Sequence, residues 1–168
     1  MVFTRLPRSG PRVDTNIATR KPNVLIAGTP DTIDTVREVF GDALDLRVAH
    51  TLYGALDALD KETELILCNV RFDESRMFDF LYAVRARPNS AAIPIVCFRA
   101  PDKSLSEAMH GAIDSALRTF DNATFVDMHE IARKSGAAAA MDGLRVAVVS
   151  RLDGRLTDSG TPRRLSSN

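Results

Sequence analysis

Residues 65–100 read LILCNVRFDESRMFDFLYAVRARPNSAAIPIVCFRA. The stretch opens on four apolar residues, Leu65 to Cys68, and that run closes at Asn69-Val70. An apolar run with no polar alternation marks a strand covered on both faces. Met77, Phe78, Leu81, Tyr82 and Val84 then recur at helical spacing until Pro88 stops them. Ile93 to Phe98 is a second apolar run of strand length. Strand, helix and strand in this order imply parallel neighbours joined by a crossover.

The alternation continues in both directions. Upstream, Val24 to Ala27 predicts a strand that stops at Gly28. Thr29-Pro30-Asp31 starts a helix, with a hydroxyl cap, Pro in the first turn and an acid near the positive end. Ile33, Val36, Val39 and Phe40 supply its apolar face, and Gly41 closes it. Leu44 to Ala49 predicts a second strand. Thr51 caps a second helix with Leu52, Ala55, Leu56 and Leu59 inward. Downstream, Ser104-Leu105-Ser106-Glu107 has the pattern of a capping box. It opens a fourth helix through Met109, Ile113, Ala116, Leu117 and Phe120. Thr124 to Asp127 predicts a short fifth strand, and Glu130 to about Leu152 a fifth helix, with Ser135-Gly136 as the place for a break. Leu144 to Val149 is rich in β-branched residues, yet the spacing Leu144, Val148, Leu152 favours helix.

Five βα units predict a doubly wound, three-layer α/β/α sandwich around a five-stranded parallel sheet. Such folds place ligands at the carboxyl ends of the strands, beside the switch in strand order. The residues to weigh are therefore Gly28, Thr29, Asn69, Arg99 and the group Asp127, Met128 and His129.

The chain has 168 residues and no net charge, but the charge is unevenly spread. Residues 1–22 carry +4, residues 151–168 carry +2, and the stretch between them carries −6. An acidic body is a poor surface for nucleic acid, which leaves only the ends to touch phosphate. The composition of 1–22 and 153–168 shows no apolar periodicity, so both are expected to be flexible tails around a domain at 23–152. No apolar run approaches the roughly 20 residues of a membrane span. The N-terminus lacks the apolar core of a secretory signal, so the expected location is the cytoplasm. Cys68 and Cys97 lie inside strand runs and are expected to be plain buried thiols, a redox pair being the other reading.

The segment Leu65 to Ala100 resembles the receiver domain of bacterial response regulators, and Ile93-Pro94-Ile95-Val96 at the fourth strand is especially typical. With the five units, the resemblance spans about residues 22–152. It implies the flavodoxin-like strand order 2-1-3-4-5. It also implies a phosphoacceptor aspartate ending the third strand, where this chain has Asn69. Receivers hold magnesium with an acidic pair after the first strand; here stand Gly28 and Thr29, or Ala27 and Gly28 after a one-residue slip. The Thr or Ser ending the fourth strand is Arg99, and the Lys after the fifth is Met128 or, next, Asp127. An amide cannot form an acyl phosphate, and a hard cation has no anionic oxygens to bind. The expectation is a degenerate receiver with no aspartyl-phosphate switch, no cofactor, no metal and no enzymatic activity.

Such a module would act by association with a signalling protein or a second copy of itself. The resemblance places its docking face on the fourth helix, fifth strand and fifth helix. The link between the fourth and fifth strands is long, so the fourth helix is expected to be longer than usual. Arg99 is expected to form an internal ion pair, with Asp127 first and Asp31, Asp73 or Asp102 next. The alternative reading is a small-anion or nucleotide sensor that uses Arg99 and the amino end of the first helix. His129-Glu130 is a weaker candidate for a general base and its orienter. His50 and His110 are expected to be surface or helix-face residues, and Phe125 a core side chain.

Overall fold

The computed structural model describes residues 20–101 and 105–158. Five strands form one sheet: β1 (Asn23–Ala27), β2 (Asp45–Ala49), β3 (Leu65–Asn69), β4 (Ile95–Arg99) and β5 (Ala123–Asp127). All neighbours are parallel, and the order is β2-β1-β3-β4-β5. The helices are α1 (Pro30–Phe40), α2 (Leu52–Ala58), α3 (Phe72–Ser75), α4 (Met77–Ala86), α5 (Glu107–Leu117), α6 (Met128–Ser135) and α7 (Ala137–Asp158). This is a flavodoxin-like three-layer α/β/α fold.

The strand pleat explains the unbroken apolar runs. Every residue of β1, β3 and β4 is buried, because alternate side chains enter two separate cores. Leu25, Ile66, Cys68, Ile95 and Cys97 face α2, α4 and α5, meeting Leu52, Phe80, Leu81, Ile113 and Leu117. Val24, Ile26, Leu65, Leu67, Val96 and Phe98 face α1 and α7, meeting Ile33, Val36, Leu144 and Val148. The edge strands are polar where the inner ones are not. On β2, Arg47 pairs with Asp60; beside β5, Arg151 of α7 bonds the Thr124 hydroxyl.

Thr51 caps α2 as expected, accepting from the Gly54 N–H at 3.2 Å. Other local expectations need correction. Thr29 stands at the α1 N-cap, but its hydroxyl bonds the Thr32 hydroxyl at 2.7 Å rather than a first-turn amide. The cap of α5 is Ser106, which accepts from Met109 N–H at 3.3 Å; Ser104 lies outside the described residues. Helix α5 has 11 residues, the same as α1, so the extra length between β4 and β5 lies outside it.

Residues 144–149 are helical, within α7. The buried row Leu144, Val148 and Leu152 sets their face, while Val146 and Val149 stay exposed. Packing at a spacing of four thus overrides β-branched propensity. The break falls at Gly136, whose φ of 91° suits a residue without a Cβ. Helix α7 runs on to Asp158, past the boundary drawn at 152. At the other end Arg20 is tied to Glu64 at 2.6 Å, so the last part of the 1–22 segment contacts the domain. Residues 1–19 and 159–168, the bulk of both expected tails, lie outside the described residues. No helix among the described residues is long and apolar enough to cross a membrane.

Candidate functional site

Parallel strands end on one rim, and their last residues are neighbours there. Since β1 lies between β2 and β3, the rim above β1 and β3 is where the strand order switches. A cavity of about 240 Å³ opens at that point, lined by Thr29, Asp31, Thr32, Asn69, Arg71 and Arg99 among others. Gly28 brings two of these segments together: a Cβ there would lie 3.3 Å from the Thr32 Cβ and 3.6 Å from the Asn69 Cβ.

Asn69 is 4% exposed, and both ends of its amide are used. Its Oδ1 accepts the Arg71 N–H at 2.8 Å, and its Nδ2 donates to the Phe98 carbonyl at 3.4 Å. It braces the β3 turn to the end of β4. Met128 is wholly buried, in the core that contains Ala140 and Leu144. Neither position supplies a nucleophile or a cation to the cavity.

Arg99 and Asp127 are register partners at the ends of β4 and β5. Residues paired this way project to the same side of a sheet, so the two side chains meet. The Arg99 guanidinium donates to Asp127 Oδ2 at 3.0 Å, with the side chains 7% and 12% exposed. Asp127 has two further polar neighbours. Its Oδ1 accepts the Glu130 N–H at 3.0 Å and caps α6, and His110 Nδ1 lies 3.1 Å from Oδ2. One carboxylate therefore joins β4, β5, α5 and α6. Arg99 also borders a second cleft of about 510 Å³, which it shares with His110, Asp127 and His129.

Of the other acids considered for Arg99, Asp31 lines the first cavity. Asp73 accepts the Leu52 N–H at 2.8 Å and pairs with Arg76, and Asp102 lies outside the described residues. The turn carrying Asp73 is unusual: Asp73, Glu74 and Ser75 all have positive φ, at 44°, 56° and 74°. The bond from Asp73 to the start of α2 fastens this turn.

His129 and Glu130 do not form a base and its orienter. His129 Nδ1 bonds the Pro101 carbonyl at 2.6 Å, while the Glu130 carboxylate is taken by Arg133 and Lys134. These two cations hold the Glu130 carboxyl down at about 2, from an ordinary 4.5. Any stability from this cluster is thus complete above about pH 4.5 and is lost as pH falls through about 2. A side-chain carbon NMR titration is expected to give a Glu130 midpoint near 2; a midpoint near 4.5 would show that the cluster is open in solution.

His110, expected on the surface or a helix face, does lie on a helix face, and what sequence reasoning missed is its contact with Asp127. His110 stands three and seven residues before Ile113 and Leu117, the two buried residues of α5, so it shares their inward face. That spacing was the available signal. Its ring also meets Phe125 edge-on, with centroids 5.7 Å apart. His50 bonds the Gly28 carbonyl at 2.9 Å, next to the end of β1.

Cys68 and Cys97 are register partners on β3 and β4, both free and both wholly buried. Burial pushes the Cys97 thiol up to about 12 and the Cys68 thiol well above its usual value, the neighbouring Cys97 adding to the second effect. Thiolates are the reactive form, so a disulfide reagent at pH 8 is expected to label neither cysteine in the folded protein and both in guanidinium chloride. Rapid labelling of the folded protein would contradict their burial.

The cavity offers little to an anion from α1. Pro30 has no N–H, the Thr32 and Ile33 amides already bond the Thr29 carbonyl, and Asp31 brings a negative charge. Nor does any group of three His, Cys, Asp or Glu among the described residues form a metal site. No protein-family model matches the chain. No curated protein matches it either.

Proposed function

We propose that this chain is a receiver-like interaction module in bacterial signalling, one that works without an aspartyl-phosphate switch. The observation that carries this reading is the Arg99–Asp127 pair at the strand ends. In a receiver, that rim is acidic and is neutralised by a metal. Here a guanidinium and a carboxylate neutralise each other, and Asn69 is committed to bracing two loops. A pocket arranged in this way favours one state of the domain rather than a switch between two. Output then runs through association, on the face formed by α5, β5 and the α6–α7 pair. Val146 and Val149 leave apolar surface on α7, at 64% and 45% exposure.

Two experiments test the reading. Incubation with acetyl phosphate and magnesium, followed by intact-mass measurement, is expected to leave both the wild type and Asn69→Asp unmodified. The variant regains a carboxylate but still has Gly28, Thr29 and Met128 where the metal acids and the Lys would stand. A magnesium-dependent phosphoprotein in the wild type would overturn the proposal. Affinity capture from the native cell is then expected to yield a protein partner that Val146→Asp loses and Asn69→Ala keeps; the reverse pattern would move the interface to the strand ends.

The competing reading is a small-anion or nucleotide sensor, favoured by the two guanidinium side chains at the cavity, Arg71 and Arg99. A thermal-shift screen with phosphate, nucleotides and cyclic dinucleotides separates the two. A large shift that Arg99→Met removes would support the sensor and count against the module.

A further inference from the structure

Helix α5 covers the sheet with little of its own surface. Of its 11 residues only Ile113 and Leu117 are buried, and its main neighbour is β5. Clefts lie on both sides of it. One, of about 510 Å³, runs beneath Glu107 and His110 towards Asp127; the other, of about 480 Å³, separates Met109 and Ile113 from Val70 and Arg71. Leu105, just before the helix, borders both. Among the described residues, the polar contact between α5 and the rest of the fold is His110 on Asp127.

The geometry points to α5 being a detachable helix, latched to the sheet by His110 and Asp127. Two buried side chains give a helix little packing energy, so the 3.1 Å approach of His110 to a largely buried carboxylate is a large share of what holds it. Local opening is favoured where buried apolar contacts are few. The latch also joins the helix to the strand ends. Asp127 is held by Arg99 on β4 and by the start of α6, so the carboxylate is a fixed point against which α5 closes. Met109, Ile113 and Leu105 border the second cleft, so release of α5 would uncover apolar surface there. The inference stands on packing and on the His110–Asp127 contact, and is independent of any phosphorylation or partner.

Amide hydrogen exchange on the full chain tests it, with two variants. His110→Phe keeps a ring against Phe125 and removes the polar contact with Asp127; His110→Ala removes both. In both variants the Ile113, Ala116 and Leu117 amides are expected to exchange at least tenfold faster, while Val36 and Val39 of α1 stay within twofold of wild type. Unchanged α5 exchange in both variants would overturn the latch. So would equal acceleration in α1 and α5, which means global destabilisation. Acceleration in His110→Ala alone would also overturn it, because ring packing rather than the contact with Asp127 would then hold the helix.

Discussion

Asp127→Asn is expected to lower stability by about 3–5 kcal/mol in urea denaturation, and Arg99→Met by distinctly less, about 1–3 kcal/mol. The difference follows from what each change leaves behind. Removing the Asp127 charge takes away the carboxylate 3.0 Å from a guanidinium at 7% exposure, while Arg99 keeps its other contacts. It also weakens the α6 cap and the His110 contact, because all three groups converge on this carboxylate. Removing Arg99 puts an apolar chain of similar length into a largely buried space. Asp127 keeps the Glu130 N–H and His110, so its charge is still partly compensated. An exposed pair would be worth under about 1 kcal/mol, and equal, negligible losses from both variants would mean that this one opens to water.

Phe98→Ala should match the larger of those losses, at about 3–5 kcal/mol. Phe98 is fully buried in the core shared by Val96, Leu67 and Leu144, immediately before Arg99. Its truncation opens a cavity beneath the strand ends. Its backbone carbonyl accepts from Asn69 Nδ2 and from Val70 N–H, so relaxation into the cavity would pull on the brace above it. Chemical denaturation measures the loss directly; a cost under about 1 kcal/mol would show that the neighbouring helices collapse into the space.

The fold was legible because its strands are buried on both faces. Leu65 to Cys68 and Val24 to Ala27 could not be amphipathic and still sit inside a three-layer sheet, so their continuous apolar character told the architecture directly. The Arg99–Asp127 pair was legible for a related reason: each residue ends its strand, and adjacent parallel strands in register bring such ends together. What escaped was local. The positive φ angles of Asp73, Glu74 and Ser75 have no glycine to announce them, and the bond that fastens this turn runs from Asp73 to a distant helix. Ser106 and Ser104 are both plausible caps by type, and only the tertiary course of the chain chooses between them. His110 read as a surface or helix-face residue, and only its contact with Asp127 escaped, because that partner lies 17 positions away across the α5–β5 connection.

The charge reversal at the strand ends is tested most directly by recording amide spectra of the 15N-labelled chain during titration with beryllofluoride and magnesium. Beryllofluoride mimics a phosphoryl group on an aspartate and needs both a carboxylate and a bound cation. With Asn69 at the end of β3, Gly28-Thr29 after β1 and Arg99 paired to Asp127, no saturable shift is expected at residues 28–32, 69–71 or 99–101. Saturable, magnesium-dependent shifts centred on Asn69 would contradict the reading of this rim as a closed ion pair.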